Sequence, residues 1–415
     1  MKIRSITFFT NPGWPLKPNR IQQAAEFAAE ARPAFERAGV DVQTVRLATP
    51  PFPSVLPDCR SATVVAFAQA LEDALIPLGF EYIAIGPALP DDLQSYAAIP
   101  EVVAGTENIF ASGVMASREG GLSLPAVRAC AEIIHALGPQ DEAGFANLYF
   151  AALANVPPGT PFFPAAYHNG GAPAFAIATE AADLAVSAFS QAKNLAEARS
   201  NLITALESNA QKLTAVADSL TRQFADSLNL RFGGIDYSLA PFPEEELSLG
   251  TALERLGVPA VGYHGSLAAA AFTTDAVDQA DFLRTGFSGL MLPVLEDATL
   301  AARAEQGVLT VKDLLLYSAV CGTGLDTVPL PGDTTVEQLR AVLLDLAALA
   351  LRLDKPLTAR LMPIPGKVAG DPTGFDFAFF ANSQVLGVEA RPLTGHLAGD
   401  ERISLAPRKQ HRSTQ

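Results

Sequence analysis

Carboxylates in three late, otherwise apolar stretches are the first side chains in this sequence that could do chemistry. Asp236 lies in GGIDYSLAPFP, Asp326 lies in CGTGLDTVPLPGDT, and Glu296 and Asp297 end LPVLED. An isolated charge in an apolar strand is costly, so it is normally paired, hydrogen-bonded or bound to a metal. Carboxylates that converge from neighbouring strands can hold a divalent cation such as Mg²⁺ or Mn²⁺, or act as acid and base. For Asp236 and Asp326 the alternative is a turn in which the carboxylate accepts backbone hydrogen bonds.

Two further residues are candidates for catalysis. His264, in GYHG, would serve as a base or a ligand, and a hydrogen-bonded structural histidine fits the same position. Cys321 would be a nucleophile if nearby amides or a cation favoured its thiolate. Simple packing of a free cysteine on an apolar strand is the alternative for Cys321.

Four residues are candidates for holding a ligand. Arg360, at the start of ARLMPIPG, and Lys367, in the turn that follows, would orient an anionic carboxylate or phosphate. The lysine does not complete a Walker A pattern, and a solvated turn lysine fits equally well. His168, in the loop PPGTPFFPAAYHNGGAP, is a candidate lid contact, and Ser238 follows Asp236 by two residues.

Composition restricts the class of partner. The 415-residue chain has a formal net charge of -15, and its one basic cluster is RKQHR at 408–412. This balance argues against nucleic-acid binding and against attraction to anionic membranes. Three widely spaced cysteines imply no disulfide framework, and no apolar run has the length of a signal peptide or membrane span. We therefore expect a cytoplasmic protein. Arg360 and Lys367 predict that its partner is a small anionic metabolite.

Strand-like and helix-like segments alternate along the chain, which predicts a mainly parallel α/β sheet or barrel of ten to thirteen strands. The predicted strands lie at 3–9, 42–48, 82–86, 108–115, 174–179, 231–240, 260–265, 286–294, 318–326, 358–366, 375–381 and 384–390, with 146–153 either strand or buried helix. The predicted helices lie near 20–38, 61–77, 125–137, 248–256, 266–279 and 335–352. Ligands of such folds bind at the carboxyl ends of strands.

The predicted organisation is one α/β domain over 1–404 and a disordered tail over 405–415. A helical insertion near 180–227 interrupts the domain. Its apolar residues recur every three to four positions, a spacing that fits either a homo-oligomer face or core packing.

The order of the motifs resembles domain-of-unknown-function family 711, whose members are described as PFL family proteins. The motifs that carry the resemblance are NIFASGVMAS, GGIDYSLAPFP, GYHGS, GFSGLMLPVLED, CGTGLDTVPLPGDT and ARLMPIPGKVAGD. The resemblance covers about residues 100–380, and of the first hundred residues only the opening KIRSITFF matches. It implies an α/β barrel of about ten strands, similar in fold to pyruvate formate-lyase and the ribonucleotide reductases. Such a fold does not by itself assign an activity.

Glycyl-radical enzymes of that fold place a cysteine on a loop inside the barrel, and Cys321 is the analogue that the resemblance implies. They also carry an Arg-Val-x-Gly-aromatic motif near the C-terminus, which FFANSQVLGVEARPLTGH does not fit. An active glycyl-radical enzyme is therefore not expected.

Three functions are consistent with these residues. The first is an enzyme that acts on a small anionic metabolite by acid–base or metal-assisted chemistry, as a hydrolase, lyase or isomerase. The second is a non-catalytic barrel that binds or senses a metabolite. The third is cysteine-dependent chemistry at Cys321.

Overall fold

The protein is built on one large mixed sheet with helices packed against it. The structure, a computed structural model, describes residues 1–408. Within that range the strands are β1 (Lys2–Phe9), β2 (Val42–Ala48), β3 (Tyr82–Ala88), β4 (Ile109–Ser117), β5 (Gly121–Ser123), β6 (Phe150–Ala154), β7 (Ala174–Glu180), β8 (Arg231–Ala240), β9 (Gly324–Pro331), β10 (Leu357–Ile364) and β11 (Arg402–Ile403).

The helices lie between these strands. In the same described range they are α1 (Pro18–Arg37), α2 (Ser61–Leu75), α3 (Leu93–Ala97), α4 (Ile99–Ala104), α5 (Leu124–Leu137), α6 (Ala182–Gln191), α7 (Leu195–Gln223), α8 (Ala225–Leu228), α9 (Leu249–Arg255), α10 (Ser266–Gln279), α11 (Ala298–Glu305), α12 (Val311–Tyr317) and α13 (Val336–Leu353).

The order of strands is β8-β7-β1-β2-β3-β4-β6-β10-β9, and β5 and β11 extend the sheet beside β4. The central strands β1, β2, β3, β4 and β6 are parallel to one another. The outer pairs, β7 with β8 and β9 with β10, are each parallel within the pair and antiparallel to the central strands. The predicted α/β class is therefore confirmed, with a mixed sheet in place of the mainly parallel one that was predicted.

The segment 284–294 contacts both outer strands of this order. Isolated parallel bridges join Ile235 of β8 to Arg284 and Asp326 of β9 to Pro293. The prediction of a regular strand at 286–294 is wrong. Residues Gly286 and Ser288 have positive φ, at 62° and 37°, a conformation incompatible with a continuous ladder.

Other strand predictions fail for local reasons. The run 260–265 forms turns, because Gly262 and Gly265 both have positive φ. The runs 375–381 and 384–390 are irregular. In the first of these runs the ring of Phe377 packs against the ring of Phe380, with 5.1 Å between their centroids. In a strand, successive side chains would instead alternate between the two faces of the sheet.

The predicted helical insertion consists of α6, α7 and α8. Leu202, Leu206 and Leu213 of α7 are buried in the main core of this chain. Core packing thus accounts for the spacing of apolar residues that also fitted an oligomer face.

One segment of the described chain, Ser61–Leu78, has the length and composition of a membrane-crossing helix. Its helix, α2, buries one face, with Val64, Phe67 and Leu71 in the main core. At the other end of the chain, residues 409–415 of the predicted tail lie outside the described residues. Residues 405–408 contact α13, since the Arg408 amide donates to the Arg352 carbonyl at 3.1 Å.

The connection 155–173 between β6 and β7, here named the cross-sheet loop, lies against one face of the sheet. Ile6 and Phe8 of β1 enter the main core beneath the helices. The alternate side chains Ser5 and Thr7 hydrogen-bond to the Pro161 carbonyl, at 3.5 and 3.2 Å. Because side chains alternate along a strand, the loop covers the sheet face opposite that core.

Candidate anion-binding site

Three arginines from three strands line one cavity of about 110 Å³. They are Arg4 of β1, Arg46 of β2 and Arg360 of β10. The residues on either side of Arg360, Ala359 and Leu361, enter the main core, so alternation turns the arginine to the other face. Aromatic rings complete the wall: Tyr82, Phe110, Phe162, Phe163, Phe377 and Phe379.

Two of the arginines form a buried network with two carboxylates. Glu296 bridges Arg4 and Arg360, and its Oε1 lies 2.7 Å from Nη2 of Arg360. Asp326 Oδ1 accepts from Nε of Arg360 at 2.6 Å. The side chains of Glu296 and Asp326 are 4% and 0% exposed, so these pairs are shielded from water. The network fixes Arg360 between two anions.

The pKa values of the two carboxylates of this network are shifted in opposite directions. Burial acts to raise the pKa of Glu296, but the charges of Arg4 and Arg360 outweigh it and hold that pKa below its usual value. Burial raises the pKa of Asp326, and Arg360 opposes this only in part. The difference follows from the number of cations, since two arginines contact Glu296 and one contacts Asp326.

Arg46 is the cation that this network leaves without a counter-charge. Within residues 1–408 no carboxylate lies at ion-pair distance from it, and its Nε donates to Oγ1 of Thr44 at 2.8 Å. Its guanidinium stacks over the rings of Phe163 and Tyr82, at 5.1 and 5.4 Å from their centroids. Burial, together with the charge of Arg4, lowers the pKa of Arg46 to about 9. Arg46 is therefore protonated at neutral pH, and the only support for its charge from a described carboxylate is the more distant charge of Glu296.

The second oxygen of Asp326 is also unpaired. Its Oδ2 is buried and accepts no hydrogen bond from the described part of the chain. Asp326 does not itself line the cavity, so it acts on a bound molecule only through Arg360.

Comparison with known proteins identifies the family. A family model described as "Uncharacterised ACR (DUF711)" matches residues 1–381. The chain belongs to this family. The predicted resemblance is thereby confirmed, and the match includes the first hundred residues, where Arg4 and Arg46 lie.

Curated relatives of this DUF711 protein carry the name UPF0210 protein. One from Pyrobaculum aerophilum is 34% identical over 365 residues, which cover 83% of this chain and 79% of the relative. One from Methanopyrus kandleri is 32% identical over 372 residues, covering 85% and 81%. One from Neisseria meningitidis is 29% identical over 360 residues, covering 84% and 80%. These names state no activity.

Of the residues predicted from sequence, the structure brings Glu296, Asp326 and Arg360 together. Asp236 and Ser238 lie on β8 and contact each other, with Ser238 Oγ donating to Asp236 at 2.5 Å. The same carboxylate accepts the amides of Phe287 and Ser288, at 3.0 and 2.9 Å. Asp236 thus attaches the segment 284–294 to β8. This matches the alternative considered for Asp236, in which its carboxylate accepts backbone hydrogen bonds.

Asp297 is the N-cap of α11. It is fully buried and accepts hydrogen bonds from Ser248 Oγ at 2.5 Å, from the Gly250 amide at 3.1 Å and from two amides of the helix. Across residues 1–408 no three His, Cys, Asp or Glu side chains are grouped to hold a metal ion. The divalent-cation prediction thus has no donor set in that range.

The remaining predicted residues lie apart from the arginine cavity. His264 is exposed in the turn before α10, and Lys367 is half-buried in the turn after β10. Cys321 is buried in the main core beneath the helices. His168 lies in the cross-sheet loop, beside a different cavity.

Arg4 and Arg46 are the site residues that sequence reasoning missed. Each is a single arginine inside an apolar strand, in KIRSITFF and VQTVRLA. Because burying such a charge is costly, an arginine in an apolar strand could have been identified as a site residue by the same argument that identified the carboxylates.

His168 gives a testable pH dependence. Burial lowers its pKa, with a smaller contribution from Arg231. The unfolded chain therefore binds a proton below the ordinary value of 6.5 that the folded chain does not, so the histidine lowers stability as pH falls through that value. When the pH is lowered from neutral to mildly acidic, we expect the free energy of unfolding to decrease less for His168→Phe than for the parent. The difference has an upper limit of about 1.4 kcal/mol per pH unit, the slope for one proton.

Urea denaturation at a series of pH values measures this difference. His264→Phe is the matched control, because His264 is exposed. Parallel pH profiles for the parent and His168→Phe would contradict the prediction.

Proposed function

We propose that this DUF711 protein binds a small organic anion in the arginine cavity. The observation that carries the proposal is Arg46, a mostly buried cation that has no described carboxylate at ion-pair distance. Three arginines and one carboxylate, Glu296, line this cavity, whereas Asp326 contacts Arg360 from outside it. The burial of Arg46 costs desolvation energy. The Coulomb attraction between Arg46 and an anion in the cavity would offset that cost.

The cavity wall indicates the chemical class of the anion. About 110 Å³ holds a molecule of a few heavy atoms. The guanidinium of Arg46 presents a planar set of donors that suits a carboxylate or a phosphate. Flat rings from the cross-sheet loop and from other parts of the chain surround the remaining space, so a small carboxylate with an apolar or flat body fits best.

The test is a thermal-shift screen of small carboxylates and phosphates, followed by calorimetric titration of the best ligand. We expect Arg46→Gln to weaken binding about 30-fold or more, because a desolvated charge-assisted contact is lost. The variant should remain as stable as the parent, since it no longer buries an unpaired charge.

Arg60→Gln is the matched control, because Arg60 is 71% exposed and pairs with Asp58 away from the cavity. Equal affinity in the parent and in Arg46→Gln would overturn the proposal.

The second candidate function is an enzyme that acts on the bound anion by acid–base chemistry. The raised pKa and the free Oδ2 of Asp326 favour it, because a carboxyl group whose pKa is raised by burial can supply or accept a proton. Arg360 lies between that group and the cavity, so proton transfer requires the guanidinium to move. Turnover in the parent with loss in Asp326→Asn, at unchanged ligand affinity, would distinguish this candidate from simple binding.

We further propose that the sheet closes into a ten-stranded barrel, with the segment 284–294 as the tenth member between β8 and β9. Support comes from its bridges to both outer strands and from the Gly322 amide, which donates to the Leu290 carbonyl at 3.0 Å. The loop on the inner face of that barrel would be the cross-sheet loop, which contains no cysteine. Cysteine chemistry at Cys321 is therefore the least supported of the three hypotheses. The single-domain organisation and the cytoplasmic location stay predictions.

A further inference from the structure

Arg360 has one nitrogen that its ion pairs leave free. Its Nε donates to Asp326 at 2.6 Å, and its Nη2 donates to Glu296 at 2.7 Å. Its Nη1 has no hydrogen-bond partner among residues 1–408, and it is not one of the fully buried unpaired atoms of that range. Because Arg360 lines the arginine cavity, Nη1 is the nitrogen that can donate to a molecule bound there.

The surrounding side chains fix the orientation of this nitrogen. The guanidinium of Arg360 lies over the ring of Phe162, 5.6 Å from its centroid, while two carboxylates hold its other nitrogens. The ring of Phe162 is itself packed edge to face against the ring of Phe287, with 5.5 Å between centroids. A donor held in this way is pre-organised, so a ligand does not have to order it.

Few other donors at the cavity are open. Four of the polar side chains that line it donate to other groups of the protein: Arg4, Ser5, Gln43 and Thr44. The donors without a partner in the described chain are the two Nη nitrogens of Arg46, Nη1 of Arg360 and the hydroxyl of Tyr82. A bound molecule thus meets open guanidinium nitrogens from two different arginines.

The charges around the cavity favour a single negative charge on the ligand. Arg4 pairs with Glu296, and Arg360 pairs with Asp326. Arg46 is the remaining cation, without a described carboxylate at ion-pair distance. A second negative charge on the ligand would be uncompensated in a site shielded from water, which is costly. This favours a neutral oxygen as the acceptor for Nη1 of Arg360.

We propose that the arginine cavity binds a small monocarboxylate that also carries a neutral hydroxyl or carbonyl oxygen. Arg46 binds the carboxylate through its Nη nitrogens, and Nη1 of Arg360 donates to the neutral oxygen. The volume of about 110 Å³ limits the molecule to a few heavy atoms, so the two groups lie close together in it. This inference rests on the proposed function and names the substrate class of the same site.

The experiment is calorimetric titration of the full chain at neutral pH with a series of small acids. Propanoate carries the carboxylate alone, 2-hydroxypropanoate and 3-hydroxypropanoate add a hydroxyl, and malonate adds a second carboxylate. We expect at least one hydroxypropanoate to bind about tenfold more tightly than propanoate, because it gains a hydrogen bond from a charged donor. Malonate is expected to bind no more tightly than propanoate, because its second charge has no partner.

Two variants assign the contacts to the two arginines. Arg46→Gln is expected to weaken propanoate and the preferred hydroxypropanoate by the same factor, because both carry the carboxylate. Tyr82→Phe removes the other open donor, so the ratio of the two affinities is expected to stay as in the parent. Loss of that ratio in Tyr82→Phe would assign the neutral oxygen to Tyr82 and overturn the role of Arg360.

The outcomes separate this inference from the proposed function. Propanoate binding that weakens in Arg46→Gln supports the proposed function, whatever the hydroxypropanoates do. Equal affinity of the parent for propanoate and both hydroxypropanoates, or tighter binding of malonate, would then overturn the inference alone. If none of these acids binds, the inference is also overturned, and the thermal-shift screen decides the proposed function.

Discussion

Replacing Arg360 with methionine is expected to lower the free energy of unfolding by about 3–5 kcal/mol at neutral pH. Arg360 is 6% exposed and is the cation between Glu296 and Asp326, at 2.7 and 2.6 Å. Its removal leaves Asp326 as a buried carboxylate without a counter-charge, while Glu296 keeps its pair with Arg4. Urea denaturation of the parent and the variant measures the loss.

The pH dependence of this loss identifies the carboxylate responsible. The pKa of Asp326 is already raised by burial and rises further without Arg360. A raised pKa in the folded state means that the folded chain takes up a proton first as pH falls, so the penalty is complete above that pKa and declines as pH falls from it to the ordinary aspartate value. We therefore expect the Arg360→Met defect to shrink at acidic pH, and Asp326→Asn to recover part of it at neutral pH.

Arg60→Met is the matched control for this experiment. Arg60 forms an exposed pair with Asp58, and exposed pairs contribute little to stability. If Arg360→Met cost no more than Arg60→Met, the buried network would not be a source of stability.

Replacing Asp297 with alanine is expected to destabilise the protein by about 3 kcal/mol without changing anion affinity. The carboxylate is fully buried and joins the start of α11 to Ser248, the N-cap of α9. Its loss leaves several buried donors without an acceptor, which is more costly than losing an exposed cap. Urea denaturation and calorimetric titration with the anion of the arginine cavity test the two parts.

Asn194→Ala is the matched cap control. Asn194 is the exposed N-cap of α7 and accepts the Glu197 amide at 3.0 Å, so its loss should cost about 1 kcal/mol. The experiment also tests the predicted metal role of Asp297. If Mg²⁺ or Mn²⁺ stabilised the parent but not Asp297→Ala, a metal role would replace the structural one.

The site was predictable from sequence only in part. Asp326, Glu296 and Arg360 were predicted because a charge in an apolar run signals pairing or ligand contact, and the structure brings all three together. Asp236 gave the same signal, yet its carboxylate holds the segment 284–294 through two amides. The sequence around a carboxylate in a strand does not show whether its partner is a guanidinium or a backbone amide, because the partner lies far away along the chain.

The amino-acid sequence by itself determined the alternation of strands and helices, the helical insertion and the family. These depend on local periodicity and on motif order, which neighbouring residues carry. Only the tertiary structure decided that Arg4, Arg46 and Arg360 share one cavity, because β10 is not a neighbour of β1 or β2 in the sheet, and Arg4 and Arg360 are more than 300 residues apart in the chain. It also decided that the segment 284–294 forms isolated β-bridges and no regular strand. The composition of this segment favours a strand, but the positive φ at Gly286 and Ser288 interrupts it.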